Sequence, residues 1–353
     1  MQDNAKQLRL DYECLHTMPT GIREVRVWWD KHRGTWIVGK RLDLSEVHDD
    51  ADLIEPQVME MINHPNVVKV QAVAVVDGFA KPMYVVEILM PYYELGSISD
   101  AFEEGRTFSP REALKIIQGV LLGLSEMHEV HGILHRDIKS PNLFLTSDSD
   151  LIKIGDLGLA GRMDADGKTP TVNAPHLYSP PELFVGSGLN RASDLYAVGV
   201  VLRELIHGRF DYSAYSTSDV VDALTAGRNP LRPSDLELPL WACNALRRVI
   251  QKATDKDPAK RYQSARQMSA AVAAINTADW RQTDDASWET CAVRNRAHKI
   301  RVTATSTRSG TVKISIQRQK TIWRRTEDDV IVPSLRHTDA RAAFERANSL
   351  AVS

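Results

Sequence analysis

Asp137, Lys139 and Asn142 fall within one short segment, His135-Arg136-Asp137-Ile138-Lys139-Ser140-Pro141-Asn142. Between them they offer a carboxylate that can orient a hydroxyl, a cation for a moving phosphate and an amide that can bind a metal. Phosphoryl transfer needs these three groups close together. Nineteen residues after Asp137 comes Asp156, in Gly155-Asp156-Leu157-Gly158-Leu159-Ala160. An Asp at the end of a strand, beside a flexible Gly, can reach into a cleft and hold a divalent cation on phosphates. Asp-Leu-Gly alone is an ordinary turn, and its distance from Asp137 across two short strand-like runs gives it weight.

These side chains need elements to position them. Val25 to Trp28 and Trp36 to Val38 read as β-strands joined by a turn at Asp30 to Gly34, and Val67 to Val76 and Met83 to Leu89 as two more. A helical stretch from Leu53 to Ile62 lies between the pairs, with Val58, Met59 and Ile62 on one face. From about residue 97 the chain turns helical. Pro110 to Met127 carries Leu114, Ile117, Leu121 and Leu124 at helical spacing behind Ser109-Pro110, a helix start. Asp194 to His207, Leu240 to Ala253 and Ala265 to Ile275 follow the same pattern. Residues 278–290 read as a linker or short helix. Beyond them, Lys299 to Thr305 and Thr311 to Gln317 alternate around Ser309-Gly310, a hairpin signal. Ile322-Trp323 and Val330 to Val332 add strands, and Asp339 to Ala351 a last helix with Asp339 as N-cap.

The 353 residues suffice for one large two-lobed domain and a small module. A net charge of −2 excludes a chain that binds nucleic acid through overall charge. The charge is uneven, however: residues 280–353 hold 14 Lys/Arg against 8 Asp/Glu. Three scattered cysteines, with no C-x-x-C pair, indicate neither a disulfide framework nor a zinc site and fit a reduced compartment. The first residues lack the apolar stretch of a signal peptide, and no run of about 18 apolar residues occurs, so no membrane partner and a cytoplasmic location are expected.

The segments around Asp137 and Asp156 resemble the catalytic loop and metal-binding element of eukaryotic-like Ser/Thr protein kinases. Pro180-Pro181-Glu182 resembles the Ala-Pro-Glu element of that family, and Ile37-Val38-Gly39-Lys40 its Val-Ala-Ile-Lys strand. The resemblance spans residues 18–276. It implies an α+β, two-lobed kinase fold over residues 10–277, with a β-rich small lobe to about residue 90 and a helical large lobe from 91. Residues 291–353 then form a small α+β module. The resemblance also assigns roles. Asp137 orients the acceptor hydroxyl and takes its proton, Lys139 stabilises the transferring phosphoryl, and Asn142 and Asp156 hold Mg²⁺. Lys40 contacts the phosphates of ATP and pairs with Glu55, found by counting back from Asn63-His64-Pro65-Asn66. Val25 and Val38 cover the adenine, and Glu87-Ile88-Leu89 is the hinge whose backbone binds it. Glu182 pairs with Arg261, and Asp194 braces the catalytic loop. Lys139 favours Ser or Thr over Tyr as acceptor.

The chain also departs from the family. The glycine-rich loop falls on Met18, Thr20 and Arg23, with only Gly21 nearby, although glycines are what let backbone amides approach phosphates closely. Pro56 requires the helix carrying Glu55 to begin at Glu55. Residues 161–179 correspond to the activation loop, with Thr169, Thr171 and Tyr178 as phosphate acceptors and Arg136 as a partner for the phosphate. There, Asn173-Ala174-Pro175 replaces the glycine-threonine pair that helps hold the substrate hydroxyl. Two readings therefore stand. One is a Ser/Thr kinase acting on protein substrates and on its own activation loop; the other is a pseudokinase that serves as a nucleotide-binding scaffold. The basic strands of the terminal module, with Arg294, Arg296, Lys299, Arg301, Lys313, Arg318, Lys320, Arg324 and Arg325 plus Trp323, fit either a solvated sheet face or a surface for nucleic acid or an acidic protein.

Overall fold

The computed structural model describes residues 12–18, 25–44, 55–79, 84–147 and 152–353. Strands β1 (Tyr12–Met18), β2 (Val25–Asp30) and β3 (Thr35–Asp43) run consecutively, followed by helix α1 (Glu55–Met61), β4 (Ala72–Val75) and β5 (Val85–Pro91). They form a five-stranded antiparallel sheet ordered β1-β2-β3-β5-β4. Helix α1 starts at Glu55, with Pro56 in its first turn where no intrahelical N–H bond is lost. Its Val58 and Met59 are buried and hold Glu55 against the sheet.

The large lobe opens with α2 (Ile98–Glu103), whose Ser97 and Asp100 form a reciprocal capping box. Helix α3 (Pro110–Ser125) follows, capped by Ser109 and buried along Leu114, Ile117, Val120, Leu121 and Leu124. It ends in a π-helical turn, Glu126–Val130. Four short strands come next: β6 (Ile133–Leu134), β7 (Leu143–Leu145), β8 (Ile152–Ile154) and β9 (Gly161–Arg162). Because β6 pairs with β9 and β7 with β8, the loop between β6 and β7 is nested beside the loop between β8 and β9. Asp137 sits on the first loop and Asp156 on the second. Helices α4 (Arg191–His207), α5 (Thr217–Thr225), α6 (Pro233–Leu236), α7 (Asn244–Ala253) and α8 (Ala265–Ala273) complete the lobe. Helix α4 is buried on nearly all sides and forms the centre of the core.

Residues 278–290 do not form a linker. Strands β10 (Arg281–Asp284) and β11 (Ser287–Cys291) start the terminal sheet, which continues through β12 (Lys299–Ser306), β13 (Val312–Gln319) and β14 (Trp323–Arg325), with β15 (Val330–Val332) also on β13. All four residues of β10 are exposed, so it has no hydrophobic alternation to read. Helix α9 (Thr338–Val352) covers one face with Phe344, set edge-on to Trp288 at 5.0 Å and packed with Ile300, Val302, Ile314 and Ile316 in one core cluster. Its cap is His337 rather than Asp339, since the His337 side chain accepts the Asp339 N–H. Three of the module's cations are engaged within it. Arg301 pairs with Glu289 and lies over Trp323 at 4.0 Å, and Lys313 and Arg325 share Asp329. These pairings favour the solvated-face reading of the basic strands.

The module shares its hydrophobic core with the large lobe. Buried Asn348 of α9 accepts from the Ala278 N–H at 3.1 Å and Trp280 Nε1 at 3.2 Å, and donates to the Asn276 carbonyl at 3.0 Å. Helix α7 has no side-chain cap of its own, and Glu345 of α9 accepts the Asn244 N–H in its place. Asn348→Ala leaves two buried donors unsatisfied and should cost about 1–3 kcal/mol, read as a lower denaturant midpoint at unchanged slope. An unchanged midpoint would rule out this clamp. No helix among the described residues is long and apolar enough to cross a membrane.

Candidate active site

Asp194, at the start of α4, fixes the loop between β6 and β7 from below. Its carboxylate accepts the His135 N–H at 2.9 Å, the Arg136 N–H at 2.8 Å and His128 Nε2 at 2.8 Å. Burial raises the pKa of Asp194, but these donors outweigh it and keep the carboxyl below its usual range. His128 lies in the π-helical turn, a device with no mark in the sequence pattern. Arg136 is held at φ 65° and Asp156 at φ 54°, the left-handed region that costs a side-chain-bearing residue about 1–3 kcal/mol when the surroundings impose it. His135 joins the two loops: Nδ1 accepts the Asp137 N–H at 3.2 Å, leaving Nε2 to donate to the Gly155 carbonyl at 3.0 Å.

The predicted groups converge on this frame. Asp137 Oδ2 receives Lys139 Nζ at 2.9 Å and Asn142 Nδ2 at 2.9 Å. Burial pushes the Asp137 carboxyl up, but the contact with His176 and the Lys139 charge hold it well below the usual carboxylate range. It is therefore ionised at neutral pH. Lys40 Nζ, buried in the small lobe, lies 2.8 Å from both Glu55 oxygens and 2.5 Å from Asp156 Oδ1. Burial opposes ionisation of Asp156, and the Lys40 charge overcomes it. One chain of contacts thus runs from α1 through β3 to the loop after β8. Glu182 and Arg261 form a bidentate pair, both contacts at 2.7 Å, that closes the large lobe as the sequence led us to expect.

A protein kinase domain family model matches residues 22–272. The chain belongs to the protein kinase family. This kinase is 31% identical over 230 residues to the probable serine/threonine-protein kinase PknB of Lactococcus lactis, covering 64% of this chain and 35% of that protein. It is 29% identical over 235 residues to the serine/threonine-protein kinase PrkC of Bacillus subtilis, covering 64% and 33%. It is also 27% identical over 236 residues to the human NUAK family SNF1-like kinase 1, covering 65% and 34%. The chain spans about a third of the length of these relatives.

Protein kinase domains use ATP and a divalent metal, and the residues present suit both. Asn142 Nδ2 is committed to the Asp137 carbonyl and Oδ2, which leaves the amide oxygen to serve a cation. Together with the Asp156 carboxylate this is a hard oxygen pair of the kind Mg²⁺ takes alongside phosphate and water ligands.

The expected nucleotide contacts need correction at the hinge. Residues paired across a sheet share a face, and neighbours along a strand point to opposite faces. Lys40 pairs with Ile88 and Val38 with Met90, so Ile88 and Met90 face the Lys40 side while Glu87 and Leu89 point away. Val25 pairs with Lys40 and so lies on the same face as Val38. Strand β5 lies between β3 and β4, so the backbones of Glu87 and Leu89 are engaged in sheet pairing, and the Leu89 carbonyl also accepts the Gln71 N–H. Neither residue can serve as a hinge. The chain leaves the sheet only after Pro91, so the link to the large lobe begins beyond it. Glu87 instead accepts from Trp28 Nε1 at 2.5 Å and Arg41 Nε at 3.0 Å. A Cβ on Gly39 would come within 2.0 Å of the Glu87 carboxylate, which explains glycine next to Lys40. Gly21 lies outside the described residues.

The activation-loop candidates separate. Thr169 is buried and its backbone bridges to Leu189, so its hydroxyl is not presented to solvent. Thr171 is exposed. Tyr178 is buried with its hydroxyl on Glu204 at 2.6 Å, and burial and Glu204 both push its pKa well up. Arg136, expected to meet a phosphate, donates to the carbonyls of Leu159, Ala160 and Pro170.

Proposed function

We propose that this kinase is catalytically active and transfers the γ-phosphoryl of ATP, as its Mg²⁺ complex, to Ser or Thr hydroxyls of proteins, including its own activation loop. The observation that carries this reading is the complete set of contacts from Glu55 through Lys40 to Asp156, beside an Asp137 kept ionised by His176 and Lys139 and held by Asn142. Bound Mg-ATP supplies the transferable group and neutralises phosphate charge. Asp137 orients the acceptor hydroxyl and takes its proton as the new O–P bond forms and the bond to the β-phosphate oxygen breaks. Lys139 balances charge on the moving phosphoryl, Lys40 holds the α- and β-phosphates, and Asn142 and Asp156 bind the metal. Val25, Val38 and the chain from Met90 to Tyr93 enclose the adenine. Lys139 supports Ser/Thr over Tyr as acceptor. The unpaired cysteines Cys14, Cys243 and Cys291 favour a reducing, cytoplasmic setting.

Phosphosite mapping after incubation with Mg-ATP tests activity, acceptor type and loop control together. Phosphate is expected on Thr171 and not on Thr169, and Thr171→Ala should remove the main modified peptide. Absence of phosphate from the chain and from every protein substrate offered would favour a pseudokinase instead.

A further inference from the structure

His176 lies in the activation segment, far in sequence from the loop between β6 and β7, yet its Nε2 is 3.0 Å from Asp137 Oδ1. That oxygen is the one atom of the catalytic carboxylate without an aligned hydrogen-bond donor among the described residues. His176 is locked into a tight turn. Its N–H donates to Ser179 Oγ at 2.9 Å, its carbonyl accepts the Ser179 N–H at 3.0 Å, and its Nδ1 accepts the Tyr178 N–H at 3.1 Å. The ring meets Tyr178 edge-on, and Tyr178 is anchored in turn on buried Glu204, which also receives Ser140 Oγ from the catalytic loop.

The tautomer follows from these bonds. Because Nδ1 receives a backbone N–H, it carries no proton of its own, so the neutral ring carries its proton on Nε2, 3.0 Å from Asp137 Oδ1 and a small ring rotation from alignment with it. Lys139 and Asn142 grip Oδ2 and leave Oδ1 to the imidazole N–H and to an incoming hydroxyl. We propose that His176 is a positioning residue for this kinase. It steadies Asp137 through Nε2–H and so makes correct placement of the activation segment a condition for phosphoryl transfer. This supplies from the next residue the contact expected where Pro175 replaces a threonine. The proposal rests on the active-kinase reading for its kinetic consequence, but not for the contact itself.

Two conservative variants separate the role of Nε2 from that of Nδ1. Glutamine keeps a donor near the Nε2 position, whereas asparagine reproduces only the inner Nδ1 position. His176→Ala and His176→Asn are expected to lower kcat about tenfold or more with the KM for ATP unchanged, and His176→Gln to stay within about threefold of wild type, the scale of one hydrogen bond to a charged group. A second readout needs no turnover: the ¹⁵N resonances of the His176 ring should place its proton on Nε2, and Asp137→Ala should shift Nε2 while leaving Nδ1 in place. Wild-type kcat in His176→Ala, a Gln variant as weak as the Ala variant, or a His176 Nε2 resonance unmoved by Asp137→Ala would each overturn the proposal. If the wild-type protein transfers no phosphate, the active-kinase reading fails and the His176 ring resonances still decide the contact.

Discussion

Asp137→Asn is expected to reduce phosphate transfer by about 10²–10⁴-fold, the usual contribution of a positioned acid–base group, with nucleotide affinity nearly unchanged. The substitution keeps the shape and an acceptor oxygen for Asn142 Nδ2, but it removes the charge that pairs with Lys139 at 2.9 Å and the site that receives the hydroxyl proton. Lys40, Glu55 and Asp156, which belong to other elements, keep their mutual contacts. Single-turnover transfer to a peptide, with nucleotide binding measured separately, checks both parts. A variant that transfers phosphate at the wild-type rate would remove Asp137 from the mechanism. One that loses nucleotide binding as well would show that the effect is structural.

Arg261→Met should destabilise the large lobe by about 3–5 kcal/mol, the cost of leaving one member of a buried ion pair without its partner. The Arg261 side chain is fully buried; besides Glu182 it reaches the carbonyls of Ala192, Asp255 and Lys256, and it stacks over Tyr196 at 4.7 Å. Without it, the Glu182 carboxylate keeps only Ser193 Oγ, at 2.9 Å, as a side-chain donor among the described residues. Denaturant unfolding of the single variants and of the double variant with Glu182→Leu provides the test. The double variant should be more stable than the sum of the single losses predicts. Strict additivity would show that the two residues act independently.

The large-lobe site was legible because each of its motifs is contiguous. Asp137, Lys139 and Asn142 share one loop, and the pairing of β6 with β9 and β7 with β8 brings Asp156 beside it whatever the rest of the chain does. Lys40 and Glu55 were legible because a strand register and a short helix place them. The hinge was misplaced because Val85 to Pro91 is an unbroken apolar run around Glu87, whose end cannot be seen without the sheet pairing. Thr169 looked available because nothing local shows that its partner is Leu189, twenty residues away. The strands at 281–291 were hidden by the polarity of β10, and the role of His176 because a contact between distant loops leaves no spacing to read.

The cap that Glu345 places on Asn244 has a consequence for synthesis. About 100 residues separate the two, so at roughly 5–20 residues per second the ribosome delivers the carboxylate some 5–20 s after the helix that needs it. During that interval the nascent chain has an uncapped α7 and no Asn348 to receive the Ala278 and Trp280 donors. The large lobe thus lacks one helix cap and one buried acceptor until the terminal module has emerged and docked, and a chain interrupted before α9 would carry that loss of stability permanently.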